Sequence, residues 1–513
     1  MPSQPTRSLK SVRNRDLLII WIALLVVLLY AFAAGRMSAG RFPLDDSWIH
    51  QTYARNLGLT GRWDYIPGVP SAGSTSPLYT VLLAIGYGLR LPYLLWTHFL
   101  GAAALALAGM IGARMADRLY PQVKRAGLYT GVALVLTWHL IWAAASGMET
   151  MLFATLCLAV MALAWRELPT PDMPPTNTPH FGSGVAFGMV SALLIAARPE
   201  GSLLVGMTGL IMLIVRPQGS WRLFAMWAAG AALGGGVGLM PYVLLNLSLN
   251  GTVFPTTLNA KQEQASHLLA QGFLYNLVKM IEPLMPGIQI VLLPGIVIFL
   301  QAQWRKPQRA SLLYSLPLLW TAALILLFTL RLPAAYQHGR YLIPGIPSLV
   351  VIGVGGTLLL ITQRSRRMLG RVLRRSLALT AIGVLIVFVV IGANAYAVDV
   401  WRIETDNVVA ADWVKAHIPP DQLLAVHDIG AVGYFAPRDL LDIAGLISPE
   451  TIVYYHDATG MLKLMQDRGV QWVMGLPTQI APEWLPFLCL RQDIGGGMGG
   501  MKIYEFEIAG TCQ

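Results

Sequence analysis

Residues 17–35, LLIIWIALLVVLLYAFAAG, are an uncharged stretch long enough to cross the hydrocarbon core of a bilayer as a helix. Further apolar segments follow at 92–113, 127–146, 149–165, 182–197, 200–215, 223–247, 285–302, 311–330, 341–361 and 377–397. In lipid a backbone must satisfy its own hydrogen bonds, which selects helices. The expectation is a polytopic α-helical membrane protein with about 11 transmembrane helices. Composition agrees, since 55% of the 513 residues are hydrophobic and only 12% are charged. Arg7, Lys10, Arg13 and Arg15 precede the first segment, whose length fits an uncleaved anchor better than a signal peptide.

The net charge of +11 lies mostly in short connectors between apolar segments, which argues against nucleic acid as a partner. With a cytoplasmic N-terminus, the inner connectors hold roughly twice as many basic residues as the outer ones, as the positive-inside rule requires. That assignment needs SPLYTVLLAIGYGL, residues 76–89, not to cross; it is short for a span and is expected as an interfacial helix. It belongs to an outer loop over 36–91. The expected setting is the plasma (inner) membrane, with residues 1–397 as a multi-pass domain.

From about residue 398 the composition becomes that of a soluble domain, expected on the extracytoplasmic side. TDNVVAADWVKAHIP and YYHDATGMLKLMQDRG read as helices, and QLLAVHD and VQWVMGL as buried strands. Residues 398–513 are therefore expected to form a small α/β domain. Cys157 is buried in a span, while Cys489 and Cys512 share this domain, either bonded or free. LPTPDMPPTNTPH, residues 168–180, is a proline-rich connector. Asn250 in NGT is either a glycosylation acceptor or a turn residue.

The same topology gathers scattered charged residues at the outer end. Asp45 and Asp46 follow the first span, Glu149 sits in SGMET, Arg198 and Glu200 in ARPEG, Lys261 in TTLNAKQEQ, and His338 and Arg340 in YQHGRYLIP. Each also has a plain structural reading: a solvated carboxylate, a helix N-terminal acid for Glu149, an arginine reaching the interface. Sugar transfer from a polyprenyl phosphate needs carboxylates and cations together at a membrane surface. A carboxylate takes the proton of the attacking hydroxyl, and Arg or Lys meets the charge on the departing phosphate. A nucleotide sugar is not indicated, because the chain has neither a P-loop nor a dinucleotide glycine fingerprint. Trp63, Tyr65 and Tyr79, in a loop of Pro and Gly turns, suit either sugar stacking or the interfacial aromatic belt.

DDSWIHQTYARNL, YIPGVPSAGSTSPLYTVLLA, SGMETMLF, ARPEG, FPTTLNAK and HGRYLIP, in this order over roughly the first 345 residues, resemble the GT-C membrane glycosyltransferases. The resemblance is strongest to the branch that includes cell-wall arabinofuranosyltransferases. It implies the GT-C fold, a polyprenyl-phosphate sugar donor and an inverting displacement. It further implies a catalytic base at Asp45 or Asp46, with the other aspartate orienting the acceptor or helping to hold a divalent cation. Lys261, Arg340 and Arg198 become the donor-phosphate clamp. Glu149, His338, Tyr65 and Trp63 become sugar or acceptor contacts. No cofactor is certain beyond that possible cation. The acceptor that the resemblance implies is a hydroxyl of a cell-envelope glycan, lipid or protein. Ser47 and Trp48 after the aspartates, and GSTSP in the loop, depart from the arabinosyl pattern, so hexose and pentose both fit.

The alternative is a membrane transporter or flippase for a lipid-linked or anionic substrate. It would place charges near the midplane on broken helices in two similar halves, and the sequence shows neither. Asp428 and Asp442 lie at apparent strand ends without a catalytic constellation.

Overall fold

A computed structural model describes residues 9–168, 181–216, 220–253, 257–305, 308–362, 368–497 and 499–507. The proline-rich connector after Leu168 and Cys512 lie outside the described residues. Each expected apolar segment is helical. Among the described residues, five helices are long and apolar enough to cross a membrane alone: Ser11–Met37, Tyr93–Leu119, Trp221–Asn250, Tyr336–Thr362 and Met368–His417. The segment expected at 127–146 is Ala126–Val135 and Trp138–Ala145, bent by 53°. Shorter apolar helices cover Pro77–Gly88, Thr150–Arg166, Phe181–Ala197, Gly201–Val215 and Leu316–Arg331. The protein is a multi-pass membrane protein.

Small residues let these helices approach. Gly184 and Gly188 on Phe181–Ala197 face Gly230 and Gly234 on Trp221–Asn250. A Cβ at any of the four would lie 2.1–2.3 Å from a carbonyl oxygen of the opposite helix. This is close-backbone packing, in which van der Waals contact replaces the absent hydrophobic force. Large apolar side chains such as Trp21, Leu25 and Phe32 face outward, where lipid covers them.

The two ends of the bundle differ in chemistry. At the end holding the first-span N-terminus, Arg15 pairs with Asp117 at 2.7 Å and Arg114 with Asp16 at 2.6 Å. The other end carries α1 (Asp45–Thr60), a ribbon of β1 (Asp64–Ile66) and β2 (Val69–Pro70), and α2 (Pro77–Gly88). At 12 residues α2 is ~18 Å long, too short to cross, and its Ala84 and Tyr87 pack on Gly58 of α1.

The last long helix, Met368–Ile403, runs through a π-helical turn, Glu404–Val408, into Val409–His417. The boundary expected at 397/398 thus falls inside one helical rod. Beyond it lies a five-stranded sheet of β3 (Leu424–Val426), β4 (Leu440–Asp442), β5 (Trp472–Gly475), β6 (Leu488–Ile494) and β7 (Met501–Phe506), in the order β4-β3-β5-β7-β6. β4, β3 and β5 are parallel and β7 and β6 antiparallel. The helices Ile429–Phe435 and Ala458–Asp467 are in the parallel crossovers.

This domain does not stand apart from the first loop. Phe42, Trp48, Ile49, Tyr53 and Tyr65 share one buried core with Val408, Val414, Val426, Ile429 and Ile503. Trp48 is central, its ring 5.0 Å from Tyr434 and 4.7 Å from Phe435. Burying those aromatic faces together fixes α1 against the C-terminal domain.

Candidate active site

Asp45 and Asp46 open α1, where carboxylates suit the positive end of a helix. Neighbouring helical residues point about 100° apart, so the two face different partners. Asp45 turns to the C-terminal domain. Its Oδ2 accepts from Gly430 N at 2.6 Å, and its Oδ1 from Ala431 N at 2.8 Å and Asn407 Nδ2 at 3.2 Å. Asp46 turns to the bundle, where its Oδ2 accepts from Arg340 Nη2 at 2.7 Å.

These surroundings separate the two titrations. Burial, then the nearby Asp428 carboxylate, raise the Asp45 pKa to about 7 against the pull of the Ala431 and Gly430 amides. Burial would raise Asp46 too, but the charges of Arg340 and Lys261 outweigh it and hold Asp46 well below the usual carboxylate range. At neutral pH one aspartate is poised to exchange a proton and the other is a fixed anion.

Arg340 enters from Tyr336–Gly339, where Gln337, His338 and Gly339 have φ of 54°, 57° and 66°. Three successive left-handed residues, two of them with side chains, are unfavourable alone and are held by their surroundings. They turn the chain so that Arg340 points back into the protein, where it is 4% exposed. Its Nη2 also donates to Tyr341 Oη at 3.1 Å, while Nε and Nη1 have no hydrogen-bond partner among the described residues. Buried guanidinium donors without acceptors are costly.

Asp45, Asp46, Lys261 and Arg340 line a cavity of about 420 Å³ together with Tyr336 and His427. Its far wall is the C-terminal domain, at the carboxyl ends of β3 and β4, the position at which open α/β sheets bind ligands. His427 Nδ1 and Asp428 Oδ1 are 2.8 Å apart there. Burial works against the His427 charge, but Asp428 outweighs it and raises the His427 pKa.

The other expected site residues lie elsewhere. Arg198 does not line the cavity: its Nη1 is 3.1 Å from Glu149 Oε1 and its Nη2 3.0 Å from Glu200 Oε1. Glu149, 1% exposed, also meets His50 Nε2 at 3.1 Å, so it ties α1 to two neighbouring turns rather than facing a sugar. His338 pairs with Asp399 Oδ2 at 2.7 Å and stands edge-on to Trp138 and Trp142, outside the Asp45 cavity. Tyr65 is 2% exposed and its hydroxyl donates to the Ile429 carbonyl, which leaves no ring face for a sugar. Trp63 packs on Tyr53, 5.9 Å between rings, and is also outside the cavity. Asp442 holds a turn by accepting from the amides of Ala444, Leu446 and Ile447. Asn407, Gly430 and Ala431 were not legible as site residues; the His-Asp-x-Gly run at the end of β3 was the available signal.

Arg198→Met should therefore act on stability. Leaving Glu149 and Glu200 without their cation should cost about 3–5 kcal/mol, read as thermal unfolding in detergent. Donor affinity of the folded fraction should change little.

The Asp45 carboxylate, as it is held, does not fit as a ligand of a divalent cation. Among the described residues no group of three or more His, Cys, Asp or Glu is placed to hold a metal, and both Asp45 oxygens already accept from N–H donors.

A family described as a domain of unknown function, DUF8728, matches residues 393–504. No curated protein matches the chain. Among solved structures, ArnT from Cupriavidus metallidurans bound to undecaprenyl phosphate is similar with a TM-score of 0.60 and 16% identity. That likeness covers 96% of this chain and 99% of ArnT. The apo oligosaccharyltransferase of Archaeoglobus fulgidus is similar with a TM-score of 0.55 and 11% identity, over 88% of this chain and 69% of that one. The same archaeal enzyme, AglB, in complex with an inhibitory peptide and a dolichol-phosphate, gives a TM-score of 0.52 at 11% identity over the same shares, 88% and 69%. At such identities the likeness is one of fold, and the fold is GT-C.

Proposed function

We propose that this protein is an inverting glycosyltransferase, moving a sugar from a polyprenyl-phosphate donor to a hydroxyl of a cell-envelope glycan, lipid or protein acceptor at the outer face of the membrane. One observation carries the reading: two adjacent carboxylates, Asp45 and Asp46, and two cations, Lys261 and the buried Arg340, line one cavity at the end of a membrane bundle. The structures with the same fold that hold undecaprenyl phosphate or dolichol-phosphate support a lipid-linked donor.

In this reading Asp45 takes the proton of the acceptor hydroxyl as its oxygen attacks the anomeric carbon. The bond from that carbon to the phosphate oxygen breaks on the opposite face, and the electron pair leaves with the phosphate. Arg340 Nε and Nη1 and the Lys261 ammonium meet the charge that develops there. Asp46 does not take the proton; it fixes the Arg340 fork by binding Nη2. Arg198, first expected in the clamp, has no part in this step.

The test is transfer of labelled sugar by the purified full-length protein in detergent. Polyprenyl-phosphate hexose and pentose donors are offered with an extract of envelope glycans. Transfer should release polyprenyl phosphate in equal amount. A folded protein that binds these donors yet releases no polyprenyl phosphate from any of them overturns the reading, and donor movement across vesicles without cleavage would replace it with transport.

A further inference from the structure

The region matched by a domain family of unknown function reaches the first loop at its most sensitive point. Asp45 and Gly430 are 385 residues apart in sequence. Three N–H donors from beyond residue 400 nevertheless surround the Asp45 carboxylate: Asn407 Nδ2, Gly430 N and Ala431 N. We propose that Asn407, Gly430 and Ala431 of the C-terminal domain are positioning residues that hold the Asp45 carboxylate in its reactive orientation. The proposal rests on the reading of Asp45 as the base.

Three features show that the approach is built. Asn407 lies in the π-helical turn Glu404–Val408, an irregularity that re-aims side chains and recurs at functional sites. Gly430 leaves no room for any side chain, since a Cβ there would sit 2.0 Å from the Asp45 carbonyl oxygen and 2.6 Å from Oδ2. The loop is also pinned around the contact. Tyr65 donates to the Ile429 carbonyl, Arg55 Nη1 donates to the Tyr434 carbonyl at 2.7 Å, and Arg41 pairs with Glu404 at 3.0 Å. These ties cross from the first loop to both sides of the donors.

The consequence has a definite sign. The donors stabilise the ionised carboxylate, so losing one raises the Asp45 pKa further and moves the acid limb of activity to higher pH. Asp46 on the same helix, Asp428 and His427 on the facing loop and Tyr65 from the first loop also face Asp45, and the variants below leave all four in place.

Asn407→Leu keeps the volume and removes a donor. Its kcat should fall roughly tenfold, and Gly430→Ala should lose on the order of 100-fold by displacing the carboxylate. In both, KM for the polyprenyl-phosphate sugar should hold while the acid limb moves up in pH. Met465→Ala, in the core on the far side of the sheet, should lower thermal stability without moving that limb. Wild-type kcat and pH profile in folded Asn407→Leu and Gly430→Ala overturn the proposal even where Asp45→Asn is inactive. If Gly430→Ala does not fold, Asn407→Leu alone decides. Full activity in Asp45→Asn would instead refute the reading of the base on which the proposal stands.

Discussion

Asp45→Asn should abolish sugar transfer, lowering kcat by about 10²–10⁴-fold, the usual contribution of a general base. Binding of polyprenyl phosphate should survive, because the Arg340 fork and Lys261 are untouched. Asp46→Asn should differ in kind: it weakens the hold on Arg340 Nη2 and should raise KM for the donor more than it lowers kcat. The pH dependence of the wild type follows from the same residue. Asp45 must be ionised to accept a proton, so activity should rise with pH through a limb near its pKa of about 7. Stability should run the opposite way. The folded-state pKa is raised above the ordinary value of 3.8, so the folded protein binds the Asp45 proton more tightly than the unfolded chain. That contribution is whole below the unfolded pKa and is lost as pH climbs from about 4 through about 7. Asp45→Asn removes it, so its melting temperature relative to wild type should increase between pH 5 and pH 8, whatever the offset between them. Equal transfer by Asp45→Asn and wild type would remove this aspartate from the chemistry.

How much of this was visible in the chain depends on range. The apolar segments, the short α2 and the strands β3 and β5 are set by local pattern, and the structure has them where that pattern placed them, whereas the helix that Asp45 opens was not read from the sequence. The pair at 45 and 46 stood out for its position after a span. Its division of labour did not, because Asp45 is defined by amides 385 and 386 residues away. Tyr65 and Trp63 looked like sugar platforms for the property that also suits a core, a large ring with a polar edge. Only the packing of the C-terminal domain on the first loop decides between those uses. Arg198 and Arg340 were equivalent as sequence, each an arginine at a span end. Glu200, two residues from Arg198, occupies its guanidinium, whereas Arg340 is turned inward by a run of positive φ angles that has no signature beyond Gly339. The π-helical turn that presents Asn407 was equally silent, since TDNVV reads as ordinary helix.

Arg340 carries the second large effect. Arg340→Lys keeps one positive charge that can still reach Asp46, but the three donors of a compact ammonium cannot reproduce the planar fork that sets Nε and Nη1 apart from the Asp46 contact. Each hydrogen bond to a charged group contributes about 1.5–3 kcal/mol. Losing them should lower kcat/KM for the polyprenyl-phosphate sugar by at least about 100-fold. Arg340→Gln should be worse, since it removes the charge and leaves Asp46 against Lys261 alone. The loss should appear both in KM and in kcat, because the phosphate is held before the sugar leaves and gains charge as it leaves. Direct titration with polyprenyl phosphate separates the first effect from the second. The variants should bind it more weakly in proportion to their rise in KM, and the remaining fall in kcat measures what the fork adds at the transition state. An Arg340→Lys protein with wild-type affinity for polyprenyl phosphate would mean that the two unpartnered donors do not face the phosphate, and the anion would then have to be sought at Lys261.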